Sequence, residues 1–290
     1  MKSLSLIALL LLSVTLVLSR APRQLQSLED FTYSSHGSDW SGTCASGSLQ
    51  SPINIDPSGI TCDKSMMFEM TFNDDVSVSL DQSSLAINGT GIISELFATD
   101  INGILTGYSA EYFVLHYPAE HQIDDTSYDL ELQIVHYIKD SFEVKGLTNK
   151  KYAIVSILFS ADGTSSNAFI DALGISSIGT GSTIVLDTQT KLGDVLPTTI
   201  PYYTYQGSFT TPTCKENVNW YIVETIQSVT SSQLSAIKTL IGSTGNNRAL
   251  QDTNDRTIKK GNVDCEEQFV YFFSFLILYI FINYFIFKLL

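Results

Sequence analysis

The sequence predicts a mostly β domain of the α+β class, with a large sheet and a few peripheral helices. Short segments rich in β-branched or aromatic residues far outnumber segments with helical character. Asp, Asn, Gly and Ser turns separate these segments, and no internal repeat or flexible linker interrupts them, which favours one domain. The predicted strands are 67–72, 76–80, 84–87, 112–116, 129–137, 152–159, 183–185 and 220–225.

Two segments are predicted helices. They are 167–173 and 231–240, and Ser231 or Ser232 is the predicted N-cap of the second, because a serine hydroxyl can accept a hydrogen bond from the free N–H groups at a helix start. The pattern places them at the periphery of the sheet and specifies nothing finer.

Both ends of the chain are predicted to lie outside the globular domain, which spans 30–261. Lys2 precedes an apolar run that ends near small residues at Ser19, which is typical of a signal peptide over 1–19. Residues 269–287 are apolar on every face and, at about 1.5 Å per residue, are just long enough to cross a membrane. They predict a transmembrane helix or a GPI-attachment tail. The short polar spacer before them favours the helix.

The charge and the cysteines limit the compartment and the partners. A net charge of −14 repels polyanions, so the sequence predicts no nucleic-acid partner. Four cysteines, Cys44, Cys62, Cys214 and Cys265, suggest two disulfides in a secreted chain, with three possible connectivities. Asn88 opens an Asn-Gly-Thr sequon and is a candidate glycosylation site. We therefore expect the domain to lie on the extracellular side of the cell surface or on the lumenal side of another membrane.

Four stretches together resemble the α-carbonic anhydrases, and they occur in the order of that family. They are Gln50–Ile55, Phe113–Tyr117, Glu131–Tyr137 and Tyr203–Pro212. The resemblance covers about 30–260 and implies a large, twisted, predominantly antiparallel sheet. It also implies the family's zinc-dependent hydration of CO2, which needs three histidine ligands and an open fourth position for water.

Two of the three zinc-ligand positions carry other residues. The family pattern His-x-His aligns with Val114-Leu115-His116, and the third histidine aligns with Gln133. His116 is the only retained ligand, because Val114 has no donor atom and Gln133 offers only a neutral amide oxygen. Zinc prefers imidazole and thiolate to such an oxygen. The resemblance therefore implies that no cofactor is bound, with Zn2+ expected only if another ligand completes the site.

Neighbouring positions of the family site are partly retained. Glu131 matches the carboxylate that orients the third histidine, whereas Tyr112 replaces a glutamine that supports the first. Thr90 stands at the position of the proton-shuttle histidine and cannot titrate near neutral pH. Glu120 and Thr210 match the pair that orients the zinc-bound hydroxide. Here we interpret them as a vestigial pair, retained as a buried hydrogen bond.

The resemblance also assigns an apolar pocket wall. Its residues are Val135, Ile154, Phe209, Thr211 and Trp220. From the sequence alone the apolar members of this set are ordinary core residues, so the assignment rests on the resemblance.

Three further histidines are interpreted as structural. His136 is three residues beyond Gln133, so on a strand it points to the opposite face. His121 matches a structural histidine of the family. His36 is the first candidate for a replacement ligand.

The family's disulfide implies a Cys44–Cys214 bond, and the proximity of two segments in its fold implies Cys62–Cys265. The favoured function is a membrane-attached, non-catalytic ectodomain that binds an unidentified protein or small molecule. The alternative is an active carbonic anhydrase with an altered metal site. A third possibility is a structural surface protein with no use for the pocket.

Overall fold

The structure is a computed structural model that describes residues 31–73, 77–83, 86–91, 93–139, 151–175, 183–187 and 200–261. From Thr32 onward these residues belong to one compact unit. The predicted signal peptide (1–19), the apolar segment 269–287 and Cys265 lie outside the described residues. In the described ranges, no helix is both long enough and apolar enough to cross a membrane.

Strands dominate the described residues, as predicted. In chain order they are β1 (Asn54–Ile55), β2 (Thr61–Asp63), β3 (Phe68–Phe72), β4 (Ser77–Ser83), β5 (Ala86–Thr90), β6 (Ser94–Thr99), β7 (Leu105–His116), β8 (Gln122–Ile123), β9 (Leu130–Ile138), β10 (Tyr152–Ser160), β11 (Thr183–Asp187), β12 (Tyr202–Gly207), β13 (Val218–Val223), β14 (Gln227–Ser228) and β15 (Lys259–Gly261).

One large mixed sheet contains all of these strands except β1 and β8, which pair with each other. Its order is β11-β4-β5-β7-β9-β10-β13-β12-β15-β2, and β6 joins β7 to β3 while β14 pairs with β10. Parallel pairing occurs at β10–β13, β10–β14 and β15–β2. The other pairs in the sheet are antiparallel, which confirms the predicted fold class.

The observed strands overlap every predicted one, but their limits differ. The largest difference is at β7, which begins at Leu105 rather than at 112. No strand was predicted over its first half, yet those residues pair with β6, and Ser109 donates to the Glu95 carboxylate. A distant strand therefore decides the structure of this segment, and sequence periodicity does not reveal it.

Helices are few and short within the described ranges: α1 (Thr43–Ser46), α2 (Ala168–Ala172) and α3 (Ser231–Ile241). The predicted cap of α3 was wrong, because Thr230 is the N-cap rather than Ser231 or Ser232. Thr230 Oγ1 accepts from the backbone N–H of Gln233, and the Gln233 side chain accepts from the Thr230 backbone N–H. This reciprocal capping box satisfies two backbone N–H groups at the helix start, whereas a serine side chain alone would satisfy one.

Alternating side chains of β7 and β9 divide the core between the two faces of the sheet. Leu115 and Ile134 belong to a large apolar cluster on one face, which also receives Ile237 from α3. The opposite face carries a second apolar cluster that includes Val135 and Trp220. The zinc-ligand positions of the sequence comparison lie on this second face.

Disulfide bonding agrees with the pairing that the resemblance implied. Cys44 and Cys214 are bonded to each other. Cys62 is also disulfide-bonded, whereas its predicted partner lies outside the described residues.

Candidate functional site

Two adjacent strands bring the aligned ligand positions together. Val114 of β7 lies directly opposite Gln133 of β9, and His116 lies opposite Glu131. Residues two apart on a strand, and residues directly opposite on neighbouring strands, share one face of a sheet. These four side chains therefore form one contiguous group on the second face of the sheet.

His116 is held in a defined tautomer. Its Nδ1 lies 2.8 Å from the carbonyl oxygen of Asn246. Because a carbonyl oxygen can only accept, Nδ1 donates this bond, and in the neutral imidazole the lone pair is then on Nε2. The side chain is 1% exposed, and its Nε2 has no hydrogen-bond partner among the described residues.

Gln133 connects two buried carboxylates. Its Nε2 donates to Glu120 Oε2 at 2.7 Å and to Glu131 Oε1 at 2.9 Å. Both amide hydrogens are thus used, which leaves only Oε1 of this side chain to face a ligand.

The expectation of a Glu120–Thr210 hydrogen bond was wrong. Both residues are described and buried, but no hydrogen bond joins them. The Gln133 amide bonds Glu120 Oε2, and the backbone N–H of Arg248 donates to Glu120 Oε1 at 2.8 Å. Glutamine brings two donors where the aligned histidine would bring one, and the second satisfies Glu120.

Glu131 accepts several more bonds. The backbone N–H groups of Glu120 and His121 donate to its Oε2, and Ser156 Oγ donates to its Oε1. His121 Nδ1 lies 2.8 Å from the same Oε1. Burial opposes ionisation of this carboxyl, but the His121 imidazole and the hydrogen bonds outweigh burial and hold its pKa well below the usual range. Glu131 is therefore a carboxylate at neutral pH.

The rim of the site lies toward β5. Asn88 is directly opposite Val114, and Thr90 is opposite Tyr112, so both residues of the sequon share the face of the site. Val114, Tyr112 and Asn88 are half-buried, and Thr90 is exposed. Solvent exposure therefore increases from the buried His116 and Gln133 through Val114 toward Thr90.

The predicted apolar wall lies on the same face. Ile154 is opposite Val135 on one side and Trp220 on the other, and all three are almost completely buried in the second apolar cluster. Phe209 and Thr211 are half-buried. Contact of this wall with a ligand stays a prediction.

The other histidines are engaged in the structure. His121 Nε2 lies 2.7 Å from the Tyr205 hydroxyl. His136 lies on the opposite face, where Nε2 meets Ser94 Oγ at 2.9 Å, as the strand period predicted. His36 Nδ1 lies 3.0 Å from the carbonyl oxygen of Asn247.

Sequence reasoning assigned no role in the site to two residues that hold it. Asn246 orients His116 through its carbonyl oxygen, while its side chain bonds the backbone of Tyr117 and Leu115. Ser156 donates to Glu131. A lone hydroxyl within the apolar strand β10 was the available signal, because a buried polar group needs a partner.

The donor set does not fit the family's zinc ion. Structural and catalytic zinc sites use at least three protein ligands, mainly imidazole or thiolate. Here one imidazole nitrogen adjoins a valine and an amide whose nitrogen is committed to two carboxylates. The described residues contain no group of three or more His, Cys, Asp or Glu side chains arranged to hold a metal.

The large mixed sheet, with this group on neighbouring strands of one face, defines an α-carbonic anhydrase-like fold. Residues 35–262 match the model of the eukaryotic-type carbonic anhydrases, so the chain belongs to that family.

Three comparisons illustrate the relationship. A carbonic anhydrase of Neisseria gonorrhoeae is 25% identical over 219 residues, covering 74% of this chain and 78% of the relative. A dioscorin of Dioscorea polystachya is 29% identical over 226 residues, covering 74% and 77%. The structure of an alpha-carbonic anhydrase of Photobacterium profundum is 26% identical with a TM-score of 0.66, and the match covers 79% of this chain and 100% of that one.

Proposed function

We propose that this chain is a non-catalytic α-carbonic anhydrase-like protein that acts as a binding ectodomain. The observation that carries the proposal is the position of the Gln133 amide, whose nitrogen donates to Glu120 and Glu131. Val114, directly opposite, has no donor atom. The chain thus offers a zinc ion one imidazole nitrogen, too few ligands for a catalytic site.

The buried polar network supports a stable site without metal. Each carboxylate beneath the site already accepts bonds from protein donors, with Arg248 and Gln133 on Glu120 and several groups on Glu131. A buried charge that is fully hydrogen-bonded does not need a metal ion to neutralise it. We propose that this floor serves as a binding surface.

The second candidate is a zinc-dependent carbonic anhydrase with an altered metal site. It is favoured by the unpartnered Nε2 of His116, because the Nδ1 bond to Asn246 leaves the nitrogen free in the tautomer that binds metals. His36 is the first candidate for a further ligand. Its Nδ1 is engaged with Asn247, so Nε2 would have to coordinate.

The Cys44–Cys214 disulfide indicates a secretory or extracellular location, because such bonds persist in oxidising compartments. We propose that residues 269–287 attach the chain to a membrane. We also propose that Asn88 is glycosylated, which would place a glycan beside Val114 at the rim of the site.

The test is the rate of CO2 hydration by the full-length chain with zinc supplied, measured by stopped-flow. The double variant Val114→His/Gln133→His serves as the matched positive control. We expect the wild type to match the uncatalysed rate. Hydration above that rate, abolished by a chelator, would establish the second candidate instead.

A further inference from the structure

The chain leaves the described domain at one edge of the sheet. Gly261, the last described residue, pairs with Tyr202 of β12 on one side and with Asp63 of β2 on the other. Residues 262–268 separate it from the apolar segment 269–287. At no more than about 3.5 Å per residue, that segment begins within about 28 Å of Gly261.

A disulfide shortens this connection. Cys62, directly opposite Lys260, is disulfide-bonded. The Cys44–Cys214 bond leaves Cys265 as the only possible partner of Cys62 within the chain. Because the apolar segment begins four residues beyond Cys265, it starts within about 14 Å of this bond.

The strand next to this exit is preceded by an exposed apolar residue. The Phe68 ring of β3 lies 4.8 Å, between centroids, from the ring of Tyr202, which pairs with Gly261. Met67, immediately before Phe68, is 51% exposed. An exposed apolar side chain therefore lies next to the point where the chain leaves the domain.

Met67 is part of a larger apolar surface. Its carbonyl oxygen accepts from the backbone N–H of Thr99, and Thr99 pairs with Leu105, which is 43% exposed. Ile101 and Ile104, between β6 and β7, are half-buried. We call Met67, Ile101, Ile104 and Leu105 the exit edge. Exposed apolar side chains grouped in this way are typical of contacts with proteins or membranes.

The charges near the exit nearly cancel, although the chain carries a net charge of −14. The two lysines of β15 form ion pairs with carboxylates. Lys64 and Glu69, on either side of Met67 in the sequence, are both exposed and carry opposite charges. Because this edge lacks the excess negative charge of the whole chain, its repulsion by anionic lipid headgroups is small.

We propose that the exit edge rests in the headgroup region of the membrane to which the chain is attached. This inference rests on the proposed function, in which residues 269–287 attach the chain to a membrane. A lipid surface is the favoured partner, because the short connection to the apolar segment holds this edge near the bilayer. Val114 lies nine residues from Leu105 on β7, about 30 Å along the strand, so the candidate site lies far from the membrane surface.

NMR of methionine methyl groups measures this contact. The full-length chain is labelled with 13C at its methionine methyls and inserted into phosphatidylcholine nanodiscs that contain a lipid with a nitroxide headgroup. The nitroxide broadens nearby nuclei, so the Met67 signal should be lost. The reference is the same sample after chemical reduction of the nitroxide.

Leu250→Met supplies the matched control. Leu250 is 40% exposed. The backbone N–H of Gln251 donates to Pro52, and the backbone N–H of the residue before Pro52 donates to Ser208, just beyond β12. This end of β12 is about 17 Å from the end at which the chain exits, so the introduced methyl should keep its signal.

Leu105→Glu tests the apolar contact itself. A carboxylate is costly to place in the apolar part of a bilayer, so this change should restore the Met67 signal, at least in part. Leu250→Glu should leave the Met67 signal lost. An undiminished loss of the Met67 signal in Leu105→Glu would overturn the proposal.

Co-purification of the chain with the nanodiscs, retained in high salt, separates this inference from the proposed attachment. A chain that does not co-purify refutes the attachment and the inference with it. A chain that co-purifies while Met67 keeps its signal, as when a second copy covers the exit edge, refutes the inference alone. Equal loss of signal at Met67 and at the control methyl also refutes the inference alone.

Discussion

Gln133 donates a hydrogen bond from Nε2 to Oε2 of Glu120 at 2.7 Å. The same nitrogen serves Glu131, so a single amide satisfies two buried carboxylates. The glutamine is therefore part of an intact polar network. That network satisfies the buried carboxylates with a valine and an amide at the positions that the resemblance aligns with zinc ligands.

Replacing Gln133 with leucine should destabilise the protein. The change removes a donor from both Glu120 and Glu131, and a buried charged group that loses a partner costs more than the 1–3 kcal/mol typical of a neutral one. We expect the free energy of unfolding to fall by about 3 kcal/mol, measured by denaturant titration.

Gln122→Leu is the matched control for this substitution. Gln122 bonds Ser127 in an exposed setting, so its loss should change stability by less than about 0.5 kcal/mol. Equal effects of the two leucine substitutions would show that the bridge between the carboxylates contributes nothing.

His136 should make stability depend on pH. Burial lowers its pKa from 6.5 to about 4. Between these values the unfolded chain binds a proton that the folded chain does not, so stability falls as pH falls from about 6.5 to about 4. The loss is about 3 kcal/mol, at about 1.36 kcal/mol per pKa unit.

Denaturant titrations at pH 7 and pH 4.5, for the wild type and for His136→Gln, measure this contribution. The variant should lose less stability than the wild type over that interval. Parallel curves for the two proteins would refute the role of His136. Glu131 affects stability at lower pH than His136 does, because its pKa is depressed below the ordinary carboxyl range.

The Cys44–Cys214 bond should be a major source of stability. It joins residues separated by 170 positions, and in the chain-entropy model a loop of that length corresponds to about 5 kcal/mol. We expect Cys44→Ser/Cys214→Ser to lower the free energy of unfolding by that order under oxidising conditions. A loss below about 1 kcal/mol would contradict this expectation.

The double variant Val114→His/Gln133→His should bind zinc and regain part of the family's activity. The two imidazoles would lie directly opposite each other beside His116. Recovery should be partial, because Tyr112 and Thr90 remain and the larger side chain at 114 costs about 1–3 kcal/mol. A zinc-dependent rise in melting temperature, absent from the wild type, is the measurement. A variant that folds but binds no zinc would show that residues other than the ligands also prevent metal binding.

The fold class and the position of the site could be predicted from the sequence, because the motifs around His116 and Gln133 fix the strand register. It did not reveal the Gln133 bridge, since an aligned position names a residue but not the rotamer that its neighbours impose. Thr210 illustrates the limit: its family partner Glu120 is present, yet a competing donor takes the bond. Likewise, the first half of β7 depends on pairing with β6, which local composition does not predict.

The zinc content of the full-length wild-type chain tests the central claim most directly. After equilibration with micromolar zinc and removal of free metal, inductively coupled plasma mass spectrometry gives the number of ions per chain. We expect far less than one zinc per chain, with the double-histidine variant near one under the same conditions. One zinc per wild-type chain, lost when His116 is replaced by alanine, would contradict the account and show that another residue completes the metal site.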